Sequence, residues 1–117
     1  MVKTVEDLAR LVAKAAEDKK AENLVIMDIS KQSIIADYFM ICHGNNERQV
    51  QAIVNEIRNQ AHKHGYNVRG IEGAEEGRWV LVDLEDVVVH VFHREEREFY
   101  NLERLWADAK IVSFQEQ

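Results

Sequence analysis

The segment RWVLVDLEDVVVHVFH, residues 78–93, constrains this chain more than any other. Two apolar runs flank Glu85 and Asp86, so the shortest way to pair them is a tight antiparallel hairpin with those two residues as its loop. The cross-strand partners are then Leu84 with Val87, Val82 with Val89, Leu81 with His90 and Trp79 with Phe92. Side chains alternate along a strand, which puts Val80, Val82, Leu84, Val87, Val89 and Val91 on one face, bounded by Arg78 and His93. That face is core. The other carries Trp79, Leu81, Asp83, Val88, His90 and Phe92, a mixture of rings, aliphatic groups and ionisable groups that reads as a surface for contact. Trp79 opposite Phe92 would form an exposed apolar patch, and Trp is among the side chains that most often anchor interfaces. A sheet covered by helices on both sides would bury the same rings, and the sequence leaves that alternative open. A single bulge would exchange the two faces.

The remaining segments supply partners for the hairpin. Thr4 with Asp7 resembles a capping box, and Val5, Leu8, Leu11, Val12, Ala15 and Ala16 recur at helical spacing, which predicts a helix from about Val5 to Ala21. LVIMDI (24–29) and YFMICH (38–43) read as strands, the first of them central. Gly44-Asn45-Asn46 then breaks the chain and caps a helix whose stripe is Val50, Ile53, Val54, Ile57 and Ala61, ending at Gly65. YNVRGI (66–71) reads as a third strand, followed by the turn EGAEEG. A last helix runs from about Arg94 to Ala109. On it Phe99, Leu102, Leu105, Trp106 and Ala109 share an arc, leaving Tyr100 exposed on the opposite side with Arg97 beside it. The expected architecture is α/β, one five-stranded sheet flanked by helices in the order α-β-β-α-β-β-β-α. The tail KIVSFQEQ, about residues 110–117, is expected to be flexible.

A chain of 117 residues makes one domain, here 1–117, able to bury roughly two thirds of its unfolded surface without a metal or disulfide. No apolar run approaches the roughly 20 residues of a membrane span, the N-terminus lacks a secretory signal core, and one cysteine forms no internal disulfide. A cytoplasmic protein with no membrane contact is expected. The net charge of −6 argues against a general nucleic-acid coat and favours a basic partner. Candidate chemistry is thin. His90 and His93 point to opposite faces and cannot share a metal, Cys42 reads as a buried core residue, and Gly44-Asn45-Asn46 lacks the lysine and spacing of a phosphate loop. Catalytic residues, metals and cofactors are therefore expected to be absent.

DYFMICHGNNERQV (37–50), EGAEEGRWVLVDLEDVVVHVF (72–92) and REFYNLERLW (97–106), in this order, resemble the iojap-related ribosomal silencing factors. The resemblance covers about residues 4–110. It implies a translation repressor that binds a protein of the large ribosomal subunit where the small subunit docks, so that joining is blocked sterically when nutrients run short. It also implies a mixed sheet similar to that of nucleotidyltransferases but without their active site. Carried over by position, the partner surface falls on Trp79, Leu81, His90, Phe92 and Tyr100. The family usually has Gly where Glu85 stands, a small hydroxyl residue in place of Ala36 and Ser in place of Asn46. Two alternatives are carried forward: a nucleotidyltransferase-like enzyme using Mg²⁺ around Gly44, Asp28 and Asp83, and a homodimeric module that uses the same patch on itself.

Overall fold

The computed structural model of this chain describes residues 4–31, 34, 36–100 and 110–112, with residues 98–100 and 110–112 given by their backbone alone. Helix α1 (Val5–Asp18) begins at the capping box: the Thr4 hydroxyl accepts from the Asp7 amide at 3.0 Å, and the Asp7 carboxylate accepts from the Thr4 amide at 3.2 Å. It stops at Asp18 rather than Ala21, because Lys20 adopts a φ of 66° and turns the chain into β1 (Glu22–Asp28). Strand β2 (Tyr38–Gly44) leads to α2 (Glu47–Lys63), whose cap is the Asn46 side-chain oxygen Oδ1, accepting from the Gln49 amide at 2.8 Å. Gly65, at φ 79°, turns the chain just beyond the end of α2. The third strand is shorter and later than its composition predicts, β3 being Gly70–Glu72. Then come β4 (Trp79–Asp83), β5 (Val87–His93), α3 (Arg94–Tyr100) and β6 (Lys110–Val112).

All five expected strands lie in one mixed sheet, and the expected flexible tail contributes a sixth. The order is β3-β4-β5-β2-β1-β6, with β2 and β5 parallel at the centre and every other pair antiparallel. Of that tail, residues 110–112 are described: β1 would otherwise end the sheet with unpaired amides and carbonyls, and the Ile111 and Val112 positions, of strand-favouring type, pair with its Met27 and Ile26.

The hairpin register is the one its loop length requires. Trp79 pairs with Phe92, Leu81 with His90 and Val82 with Val89, while the Leu84 amide donates to the Val87 carbonyl at 3.0 Å. Val80, Val82, Leu84, Val87, Val89 and Val91 all enter the main core, joined by Leu8, Val12 and Ala16 of α1 and by Val50, Ile53 and Ile57 of α2. Both long helices therefore cover one face of the sheet. At the loop, Glu85 takes a φ of 76°, a left-handed conformation in which its Cβ is crowded, and its amide donates to Asp83 Oδ1 at 2.8 Å. Glu85→Gly is expected to stabilise the fold by about 0.5–1 kcal/mol, the relieved strain exceeding the entropy that Gly adds to the unfolded chain. Urea denaturation measures this, and a midpoint no higher than wild type would exclude strain at the turn.

Candidate docking face

The second face of the sheet is a lattice of three rows set by strand register. Trp79, Phe92, His43 and Glu22 form the first, Leu81, His90, Ile41 and Val25 the second, and Asp83, Val88, Phe39 and Met27 the third. This face carries a second apolar cluster to which neither α1 nor α2 contributes: Met27, Ile41, Val88 and Phe92 of the rows and Ile29 and Ala36 of the β1–β2 connection are buried in it, and Val25, Phe39, Trp79 and Leu81 are partly buried against it. The expectation of an open patch is therefore corrected in part. Phe92 has 0% of its surface exposed and His90 5%, so neither offers area to another molecule. Trp79 and Leu81 do remain partly exposed. They sit toward the β3 edge, where exposed Glu72 pairs with Leu81, and Asp83 lies further along β4 with Arg69 on its Oδ2 at 3.1 Å. On the β3 side the exposed part is bordered by the Glu72 carboxylate and by the Asp83–Arg69 ion pair.

Trp79 is held from several sides. Its ring stacks on Phe92 with centroids 5.1 Å apart and planes at 24°, and its Nε1–H donates to His90 Nδ1 at 3.1 Å. Beneath it the backbone is fixed by Gly73, at φ 82°, where an added Cβ would come within 2.3 Å of the Trp79 carbonyl oxygen. Only glycine fits there. Because Nδ1 accepts, the imidazole of His90 is neutral with its proton on Nε2, and Nε2 is a buried side-chain atom with no hydrogen-bond partner among the described residues. Burial pushes the pKa of His90 down to about 4.

Arg97 corrects a second expectation. Rather than standing in solvent beside Tyr100, it is 8% exposed and reaches into the first row. Its Nη1 donates to His43 Nδ1 at 3.0 Å and to the Glu22 carbonyl at 3.3 Å, while His43 Nε2 lies 3.3 Å from the Glu22 carboxylate. Burial first, and the Arg97 charge second, lower the His43 pKa, with Glu22 opposing both. The start of α3 is thereby pinned over the second face, and Arg78 adds a second tie through Glu96 at 2.7 Å. Glu95 and Glu96 flank that guanidinium. Tyr100 is the last residue of α3; its side chain, the arc from Phe99 to Ala109 and the rest of the expected helix lie outside the described residues.

The residues of the enzyme alternative are not brought together. Gly44 ends β2 at its pair with His93, whereas Asp28 pairs with Tyr38 at the other end of the same strand, roughly 20 Å away at 3.3 Å per residue. Asp83 shares the Asp28 end but is engaged by Arg69 and the Glu85 amide. Among the described residues no three His, Cys, Asp or Glu groups are placed to hold a metal ion. Cys42 is buried, and its pKa is pushed up to about 12 by that burial, which keeps it a thiol. No helix among the described residues is long and apolar enough to cross a membrane.

Residues 2–117 match the family model described as RsfS, ribosomal silencing factor during starvation. The ribosomal silencing factor RsfS of Bacillus subtilis is 53% identical over 107 residues, covering 92% of this chain and 91% of that protein. An X-ray crystal structure of a Chromobacterium violaceum protein superposes with a TM-score of 0.89 at 33% identity, over 98% of this chain and 95% of that one. More distantly, the mouse protein named for mitochondrial assembly of the ribosomal large subunit is 29% identical over 116 residues, 95% of this chain and 48% of its own length.

The two buried histidines make the fold sensitive to acid in a defined direction. Both have folded pKa values below the ordinary 6.5, so the unfolded chain takes up protons first, and stability present above about pH 6.5 is lost as pH falls toward the folded values. For His90 the difference of about 2.5 units corresponds to about 3 kcal/mol in full, of which about 2 kcal/mol is lost between about pH 6.5 and about pH 5. Urea titrations of wild type and His90→Gln across this range measure the contribution as the difference in slope. Parallel pH profiles for the two proteins would show that His90 stays neutral for no energetic reason.

Proposed function

Because the chain belongs to the family of ribosomal silencing factors that act during starvation, we propose that it is a noncatalytic repressor of translation in the cytoplasm, which binds the large ribosomal subunit and obstructs its joining to the small one. The partner is a basic protein of the large subunit on its joining face. Trp79 carries this reading: a large ring, partly exposed and rigidly seated, stands beside partly exposed Leu81 with the Glu72 carboxylate at its border. A ring of this kind is the usual anchor of a protein interface, and acidic groups at the rim steer and orient a basic partner. Leu81 and Tyr100 extend the contact, whereas Phe92 and His90 act from beneath it. The name of the mouse relative, which couples that protein to assembly of a large subunit, agrees with this choice of subunit.

Inhibition by obstruction asks for a modest interface. A standard contact of roughly 800 Å² per partner suffices, since occupancy depends on affinity while the block depends on bulk. Trp79→Ala is expected to weaken binding to isolated large subunits about 30-fold, the loss of one strong anchor of about 2 kcal/mol. Cosedimentation reads this directly, with thermal unfolding alongside to show that the variant is folded, and Leu81→Lys as a second disruption against a basic partner. Purified subunits supply the consequence: wild-type protein should suppress formation of the joined ribosome and Trp79→Ala should not. Wild type that does not pellet with large subunits, or folded variants that pellet equally well, would remove this assignment. If the protein dimerises over a concentration series and Trp79→Ala abolishes the dimer while leaving ribosome binding intact, the face serves self-association instead.

A further inference from the structure

Among the described residues, two contacts of the Trp79 ring fix different things. Stacking on Phe92 sets the plane of the indole, while its terminal side-chain torsion is broadly two-fold, with the nitrogen edge facing opposite ways in the two wells. The Nε1–H to His90 Nδ1 hydrogen bond at 3.1 Å selects one of the two. We propose that His90 is a positioning residue of the docking face, holding the Trp79 indole in the single orientation that the large subunit meets. This rests on the docking reading above.

Three observations support a positioning role over simple packing. His90 is in the middle of β5, wedged between the Phe39 ring, edge-on at 4.8 Å, and the Trp79 ring at 6.0 Å, so its own orientation is fixed. Its position between Leu81 and Ile41 in the lattice is one that an aliphatic or phenyl side chain would fill without a buried polar atom. Instead the site carries an imidazole whose Nε2–H finds no partner among the described residues, a destabilising arrangement. What the imidazole adds, and a hydrocarbon cannot, is an acceptor for the indole. The indole donor is thus turned inward, the ring loses no rotational freedom on docking, and affinity rises because that freedom was surrendered during folding.

The test uses the full chain, labelled with ¹⁵N at the indole nitrogens, and Trp79→Phe assigns which of the two tryptophan signals belongs to Trp79. Wild type should show one Trp79 indole signal protected from solvent exchange. His90→Phe should lose the protection, keep or raise the thermal midpoint, and bind large subunits about tenfold more weakly. His90→Gln, whose amide oxygen can accept from the indole, should restore both protection and binding. In a Trp79→Phe background, His90→Phe should change binding less than about twofold, since pairs acting through one contact are not additive. A wild-type indole proton that exchanges at the rate of a free peptide overturns the proposal, as does His90→Phe binding like wild type, or losing the same factor in both backgrounds. Should His90→Phe fail to fold, His90→Leu replaces it under the same outcomes. Wild type that does not bind large subunits overturns the docking reading and this proposal together; wild type binding with His90→Phe unchanged overturns this proposal alone.

Discussion

Strand β5 has no side that faces water. All seven of its residues are buried, and it is hydrogen-bonded in parallel to β2 on one flank and antiparallel to β4 on the other. The candidate docking face is arranged relative to it. Its even-parity partners on β4 go to the helix-covered core, and its odd-parity partners go to the face that carries Trp79. Because neighbouring strands must keep step with β5, a residue at any point of the second face has its row and column fixed by backbone bonds before any side chain is chosen. The rigidity of the Trp79 seat derives from this, since Phe92 and His90 are both β5 residues.

The register of the hairpin was readable because two things were local: the number of residues between the runs and the alternation within them. Burial of the second face was not readable from alternation, since a strand does not encode what lies above it. WVLVD is as continuous an apolar run as VVVHVFH, which His90 interrupts, so composition did not separate the partly open strand from the fully buried one either. The Arg97 contact was beyond reach for another reason. Its partners His43 and Glu22 are 54 and 75 positions away, and Glu22 comes alongside His43 only because the register of β1 shifts between Glu22 and Val25, with Asn23 at a φ of 48°. Simple parity assigns Glu22 to the opposite face.

The two histidines of the second face show how one side-chain type serves two ends according to its neighbours. His43 accepts from a guanidinium and leans on a carboxylate, so it links three elements through charge-assisted contacts. His90 accepts from an indole and otherwise touches rings, so it orders a hydrophobic surface. Both must stay neutral, and both achieve it mainly through desolvation. Between them they tie α3 and the Trp79 ring, which sit at the same end of the sheet, to one rigid frame. Shape complementarity at a docking surface demands this kind of frame, because each loose element would have to be ordered at the moment of contact.

The pairing of β6 with β1 has a bearing on how the protein is made. Ile26 waits for Val112, so one border of the sheet stays open for as long as it takes to synthesise the intervening chain. During that interval the β1 backbone is a ready template for any extended strand nearby, its own or a foreign one. Sealing it is a long-distance event of high contact order, slow compared with the local closing of the β4–β5 loop. In chain order the β1 flank is thus the last border of the sheet to find its partner.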